Sequence, residues 1–290
     1  NGVDYSSSTL DLATTGAMPD DVVLCTASVT DSAGESATSS ASVTISNRDP
    51  VVSGTSISPA SVYTSTEVSC AANVSDADGE NLTASYSWSV GGVNLGSGDS
   101  LSLSSGIIGV GDSLLCEASV SDGHGGSHSD TASVVILNTE PTIDAVSIDN
   151  TAPQASDTLT CSVSGSDPDG DTPTYGFSWT NVTTGATYSS STTGLDSATL
   201  DLSAHAVSVA DAISCEVTAS DAHGGTATDS VSVSIINSGP QFDAAAVISP
   251  SSAHTNTVLA CSATASDLND GSLTPTYEWS VGNTVVGSGA

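Results

Sequence analysis

The sequence predicts an all-β protein made of tandem two-sheet sandwiches, and three observations predict it. Short runs alternate apolar with small polar residues along the whole chain, as in VTISN, LSLSS, LTCSV and VSVSI. That period-two pattern belongs to half-buried strands. Cysteine and tryptophan recur on a fixed grid: Cys70 to Trp88, Cys161 to Trp179 and Cys261 to Trp279 are each 18 residues apart. Prolines Pro50, Pro141 and Pro240 punctuate the chain in NRDP, NTEP and NSGP. Self-similarity at a fixed period marks a repeat architecture.

One unit reads in order. A proline opens an irregular first strand, and a strand with the first cysteine follows. A DxDG-type loop leads to a strand bearing Tyr and Trp. After a variable stretch comes an L-x-L strand (Leu101/Leu103, Leu200/Leu202, Leu10/Leu12), then the strand with the second cysteine. A Gly-rich turn (DGHGG, DAHGG or DSAG) joins it to a last strand such as Ala132–Val134–Ile136. About seven short strands per unit with turn signals between them is the pattern of an immunoglobulin-like sandwich. Alternation puts Val68, Cys70, Ala72 and Val74 on one inward face, and Leu114, Cys116, Ala118 and Val120 on another. The three tryptophans are expected in the cores.

Complete units are expected at 50–140 and 141–239. Residues 240–290 carry the first strands of a unit and 1–49 the last strands of one, together about one repeat length. Two arrangements follow. The chain is a window of a longer tandem array, or the C-terminal half-domain of one copy is completed by the N-terminal half-domain of the next. The second is a head-to-tail contact that does not close, and such contacts build fibres, as in the strand complementation of pili.

The six cysteines predict one inter-sheet disulfide per domain. Cys70–Cys116 and Cys161–Cys215 are the expected pairs, while Cys25 and Cys261 are left to pair outside their own half-domains. These spacings are not those of zinc ligands. Each such cross-link is worth ~4 kcal/mol on the chain-entropy model. It implies an oxidising compartment, outside the cytosol.

Charge excludes several roles. There are 33 acidic residues against one basic residue, Arg48, for a formal charge of −32. Phosphate binding requires Lys and Arg, so nucleic acid is not an expected partner, and neither is an anionic membrane surface. No apolar run reaches the length of a membrane span. So large a charge repels itself, which points to a saline medium, bound divalent cations, or both.

The acids concentrate in loops at one pole of each expected sandwich. At the first junction Asp76, Asp78 and Glu80 can meet Asp122 with the linker residues Asn47 and Asp49. At the second, Asp167, Asp169 and Asp171 can meet Asp221 with Asn138 and Glu140. At the third, Asp267, Asn269 and Asp270 can meet Asp31 of a completing half, with Asn237. Calcium takes six to eight oxygens, several of them from carboxylates, so these loops are candidate junction calcium sites. The second, richest in acids, is the expected best. The alternative is a plain turn, since Asp caps its own backbone. The spacing is not that of an EF-hand. His124 and His223, in the Gly-rich turns, are read as turn residues, with a minor metal role as the alternative.

The segments DADGENLTASYSW and DPDGDTPTYGFSW, with VSDGHGGSHSDTASVVILN, resemble the tandem PKD-type, cadherin-like and Ig-like repeats of large secreted bacterial surface proteins. The chain departs from the PKD pattern after the tryptophan (WSVGGVN, WTNVTTG, WSVGNTV in place of WDFGDG) and in carrying a cysteine pair. The resemblance implies a secreted structural or adhesive protein with no enzyme activity. The expected role is a structural segment of an extracellular fibre or long surface filament. Its partners would be copies of itself or further repeats. The alternatives are the stalk of a bacterial adhesin and the spacer of a secreted polysaccharide-degrading enzyme.

Overall fold

Alternating strands pair only where turn residues let the chain reverse, and nearly every strand here is bounded by such a turn. The computed structural model describes residues 8–192 and 195–289, with 189–192 given by their backbone alone. The chain divides into two compact units, Asn1–Asn138 and Thr139–Ala290.

The first unit begins with an antiparallel hairpin of β1 (Val22–Thr30) and β2 (Ser36–Thr44). A two-sheet sandwich follows, built from β3 (Val51–Ser58), β4 (Val62–Tyr63), β5 (Glu67–Ser75), β6 (Ser85–Val90), β7 (Val93–Ser97), β8 (Ser100–Ser102), β9 (Ser113–Ser121) and β10 (Ser127–Leu137). One sheet has the order β3-β5-β8 and the other β4-β10-β9-β6-β7. β4 runs parallel to β10, while the other pairings are antiparallel.

The second unit repeats this plan. It uses β11 (Thr142–Ile148), β12 (Thr158–Ser166), β13 (Thr174–Asn181), β14 (Ala186–Thr192), β15 (Ser197–Asp201), β16 (Ala212–Ser220) and β17 (Thr226–Ser234). Its sheets are β11-β12-β15 and β14-β13-β16-β17. Short pieces follow: β18 (Gln241–Phe242), β19 (Val247–Ser249), β20 (Ala260–Ser262), β21 (Ala265–Asp267), β22 (Gly271–Leu273), β23 (Tyr277–Val281) and β24 (Thr284–Gly289). They pair only as β18-β21-β22, β19-β20 and β23-β24.

The predicted alternation sets the cores. Val68, Cys70, Leu114, Cys116, Ala118 and Val120 are buried, while Ala72 and Val74 are partly buried against them. Burying a Val or Leu side chain contributes about 1.5–3 kcal/mol. Trp88 stands opposite Cys116 in register, and Trp179 opposite Cys215. The disulfides Cys70–Cys116 and Cys161–Cys215 form as expected and tie the two sheets of each sandwich together, with Cα atoms 6.5 Å apart in both. The tryptophan expectation holds for Trp88 and Trp179, which are 0% and 1% exposed. It fails for Trp279, which is only half-buried. Its hairpin β23–β24 pairs with no further strand among the described residues, so one side of the ring lacks a wall.

Candidate functional site

The acidic loops sit where the sequence places them, just after the first-cysteine and second-cysteine strands. Their first task is local. Asp76, Asp167 and Asp267 each accept, through Oδ1, the backbone N–H two residues on, at 2.6, 2.7 and 2.8 Å. Asp122, Asp221 and Asp31 each cap their own Gly-rich turn in the same way. Their Oδ1 atoms accept from the N–H of His124, His223 and Ala33, at 2.8 Å in each case. Such Asx turns explain why Asp recurs at these positions. All six therefore act as turn caps through one oxygen, whatever their second oxygen does.

A second pattern was not legible in the sequence. The residue after the linker asparagine clasps the middle residue of the acidic loop of the sandwich that follows. Arg48 donates its backbone N–H to Asp78 Oδ2 at 2.8 Å, and its guanidinium reaches Asp78 Oδ1 through Nε at 2.8 Å and Nη2 at 2.7 Å. Thr139 donates its N–H to Asp169 Oδ2 at 2.6 Å and its hydroxyl to Oδ1 at 3.2 Å. Ser238 donates its N–H to Asn269 Oδ1 at 2.8 Å and its hydroxyl to the same atom at 2.7 Å. Three different side chains thus serve one backbone geometry. The available signal was positional: Arg48, Thr139 and Ser238 hold the same place in NRDP, NTEP and NSGP.

The first junction carries the densest site. Asn47 Nδ2 donates to Asp122 Oδ2 at 2.8 Å. A Cβ on Gly126 would overlap Asp122 Oδ2 and lie 2.9 Å from Asp49 Oδ1 and 3.0 Å from Asn47 Nδ2, so these groups close over a position only glycine can hold. Asp76, Asp78 and Glu80 each bring one oxygen within 4.8 Å of the others, the one such trio of His, Cys, Asp or Glu among the described residues. The Glu80 side chain is only 10% exposed, and its two oxygens, like Asp76 Oδ2 and Asn47 Oδ1, are buried with no hydrogen-bond donor. His124 approaches Glu80 Oε1 with Nε2 at 3.7 Å and holds Asp20 Oδ2 with Nδ1 at 2.8 Å.

Titration follows this geometry. The Arg48 N–H, with the guanidinium, holds Asp78 below the usual carboxylate range. The Asn47 amide does the same for Asp122. Burial pushes Glu80 up, reinforced by the Asp76 carboxylate pressed against it. The Asp20 hydrogen bond raises His124.

The second junction, expected as the best candidate, is less convergent than the first: its acids form no trio as close as Asp76, Asp78 and Glu80 among the described residues. Asp167 Oδ2 is buried without a donor, and burial raises its carboxyl, followed by repulsion from Asp169, Asp221 and Asp171. Asp171 Oδ2 lies 3.4 Å from His223 Nε2. Asp171 holds the place of Glu80 but is one methylene shorter, so it does not close the trio. At the third, Asp267 is buried and accepts from Ser238 Oγ at 3.2 Å, while Asp270 gives its N–H to Asp267 at 3.3 Å. Asp31 belongs to the β1–β2 turn of the first unit, where it also accepts from the Glu35 N–H at 3.0 Å.

No family model and no curated relative matches the chain. Among solved structures it is similar to a two-domain fibronectin type-III segment of chicken tenascin, at 11% identity over 63% of this chain and 98% of that one, with a TM-score of 0.35. A tetra-tandem repeat from the extending region of a large adhesion protein is 19% identical over 90% of this chain and 76% of that one, with a TM-score of 0.31. A run of titin domains is 11% identical over 74% and 76%, with a TM-score of 0.27. The fold assignment rests on the sheets and disulfides described above.

Proposed function

We propose that this chain is a structural, non-catalytic segment of an extracellular filament or long surface protein, in which Ig-like sandwiches are held in sequence by clasped linkers. The observation that carries this reading is the clasp itself. Residues Arg48, Thr139 and Ser238 use one backbone geometry to pin the incoming linker to the loop at 78, 169 and 269. A linker tied by two or more hydrogen bonds transmits orientation, as a flexible one does not. The two disulfides suit an oxidising, extracellular setting. The charge of −32 suits a saline one.

Calcium is part of the proposal at the first junction. Asp76, Glu80, Asp122, Asp49 and Asn47 offer hard oxygen donors, the class that calcium takes. The buried oxygens of Asp76 and Glu80, which lack donors, fit a bound cation. A cation there would neutralise like charges that now face each other. Thermal melting at low salt tests this. Calcium at 100 times its Kd stabilises by ~2.7 kcal/mol, so adding EDTA should lower the first unit's midpoint by several degrees. An unchanged midpoint removes calcium from the reading. Electron microscopy of the native source tests the structural role. Fibres with an axial repeat of about three domains support it, and a catalytic domain in the same reading frame overturns it.

A further inference from the structure

The Gly-rich turns of the two sandwiches each carry one imidazole, and in both it meets the same acid. His124 and His223 lie eight residues after Cys116 and Cys215, and Glu80 and Asp171 lie ten residues after Cys70 and Cys161. His124 Nε2 stands 3.7 Å from Glu80 Oε1, and His223 Nε2 stands 3.4 Å from Asp171 Oδ2. Both of those oxygens are buried and accept no hydrogen bond. At 3.7 Å the first pair is too far apart for one. The turns themselves do not need these pairs, because Asp122 and Asp221 already cap them.

The first pair is the more completely built. The Glu80 side chain is 10% exposed, and neither of its oxygens has a donor. Asp76 brings one oxygen within 4.8 Å of one of Glu80, and its Oδ2 is likewise buried without a donor. On the other side of the ring, His124 Nδ1 lies 2.8 Å from Asp20 Oδ2. An ionised carboxylate only accepts, so Nδ1 carries the proton in that bond. In the neutral ring Nε2 then holds the lone pair, and it faces Glu80. A lone pair and a carboxylate oxygen repel, and a cation bound to both turns that repulsion into two bonds. A carboxylate on the outer nitrogen is also how histidine is oriented toward a metal. Asp20 is particular to this pole. Its place, five residues before the second cysteine, is held by Gly111 and Ala210 in the other repeats. All three have a left-handed φ, of 65°, 84° and 71°, so the turn is shared and only the carboxylate is new.

We propose that His124, Glu80 and Asp76 hold a divalent metal of the zinc class, with Asp20 orienting the imidazole. Calcium takes oxygen ligands. An imidazole nitrogen suits zinc and its neighbours, which bind His and carboxylate together at about 2.0–2.2 Å. Two such ligands on a tetrahedral ion stand about 3.4 Å apart, so the pair at 3.7 Å closes on one with a small side-chain movement. Three protein ligands leave the fourth position to water. The site shares Glu80 and Asp76 with the calcium reading and differs from it in His124, which calcium does not need.

The test titrates the whole chain, stripped of metal, with zinc chloride alone and with calcium chloride alone, by calorimetry at neutral pH. Nitrogen-resolved NMR of the imidazoles then reads which ring atom carries a proton and which carries the metal. The wild-type chain should bind zinc on His124 Nε2 and keep the proton on Nδ1. His124→Ala should lose this site. Asp20→Ala, a side chain that Ala210 shows the turn tolerates, should weaken zinc about 10–100-fold. Neither variant should change the calcium heat. The wild-type spectrum decides the matter even without a variant. A His124 ring that stays protonated on both nitrogens in excess zinc makes the pair a plain ion pair and overturns the inference. Equal zinc affinity in the wild-type and His124→Ala chains overturns it too. Calcium heat without zinc on His124 removes this site alone, and zinc on His124 without calcium heat removes the calcium reading alone.

Discussion

The linker clasp at Arg48 and the one at Thr139 use the same backbone bond and differ in charge. Arg48 brings the one Lys or Arg of the chain to Asp78, whose carboxyl it holds in the ionised form. Thr139 offers Asp169 only a hydroxyl beside its N–H, and in the same loop burial raises Asp167. One fold therefore meets a cluster of buried acids in two ways. At the first junction it supplies a cation from its own sequence, and at the second it sets a hydroxyl in that place. Even at the first junction Arg48 takes only Asp78, while Asp76 and Glu80 keep buried oxygens without donors.

The largest effect tests whether the two regions can be compared as separate bodies. Trp179→Ala removes a fully buried core ring and should cost about 3–5 kcal/mol, lowering the second sandwich's melting transition. In calorimetry the first unit's transition should stay in place, and a common shift of both would break the comparison.

Next in size is Arg48→Ala. It strips a side chain that is 9% exposed, Asp78, of its guanidinium, and should lower the first unit's midpoint by several degrees. A neutral result in a urea melt would mean the backbone N–H alone suffices.

The exchange Arg48→Thr with Thr139→Arg sharpens the contrast further. Arg48→Thr should enlarge the first unit's calcium response in a melt with and without EDTA, and Thr139→Arg should shrink any response of the second. Equal responses in both variants would show that linker charge is irrelevant.

The smallest effect is a pH control away from both clasps. The Thr160 N–H donates to Asp149 Oδ1 at 2.8 Å and holds that carboxyl below its ordinary value. The folded state thus binds fewer protons there than the unfolded one. Its stabilisation is present above the ordinary aspartate value and lost as pH falls through the lowered one. Asp149→Asn should lower the midpoint by a degree or two at neutral pH, and the difference should fade on acidification.

Much of the sandwich was legible because period-two alternation and turn chemistry are local. The inward positions of β5 and β9 and both internal disulfides follow from spacing along the strands. Trp279 shows the limit of that legibility. It matches Trp88 and Trp179 in sequence yet is half-buried, because burial depends on a second wall that pairing must supply. The acidic loops were legible as turns, since an Asp capping its own backbone involves neighbours two to four residues away. Which junction gathers its acids most closely was not legible from their count. Convergence depends on side-chain reach, and Glu80 closes on Asp76 where the shorter Asp171 turns to His223.

The sequence by itself determined the all-β class, the repeat, the core faces and the disulfide pairs, because each rests on a short period or a fixed spacing. The meeting of Asn47 and Asp49 with Asp122 was expected from the order of the loops, but only the tertiary structure decided that they close over Gly126, that Arg48 meets Asp78 and that His124 bridges Asp20 and Glu80. Those partners lie 30 to 104 residues apart wherever a hydrogen bond joins them. No local pattern specifies such meetings. They exist because two loops and a linker are brought to one pole by strands whose pairing has already been settled.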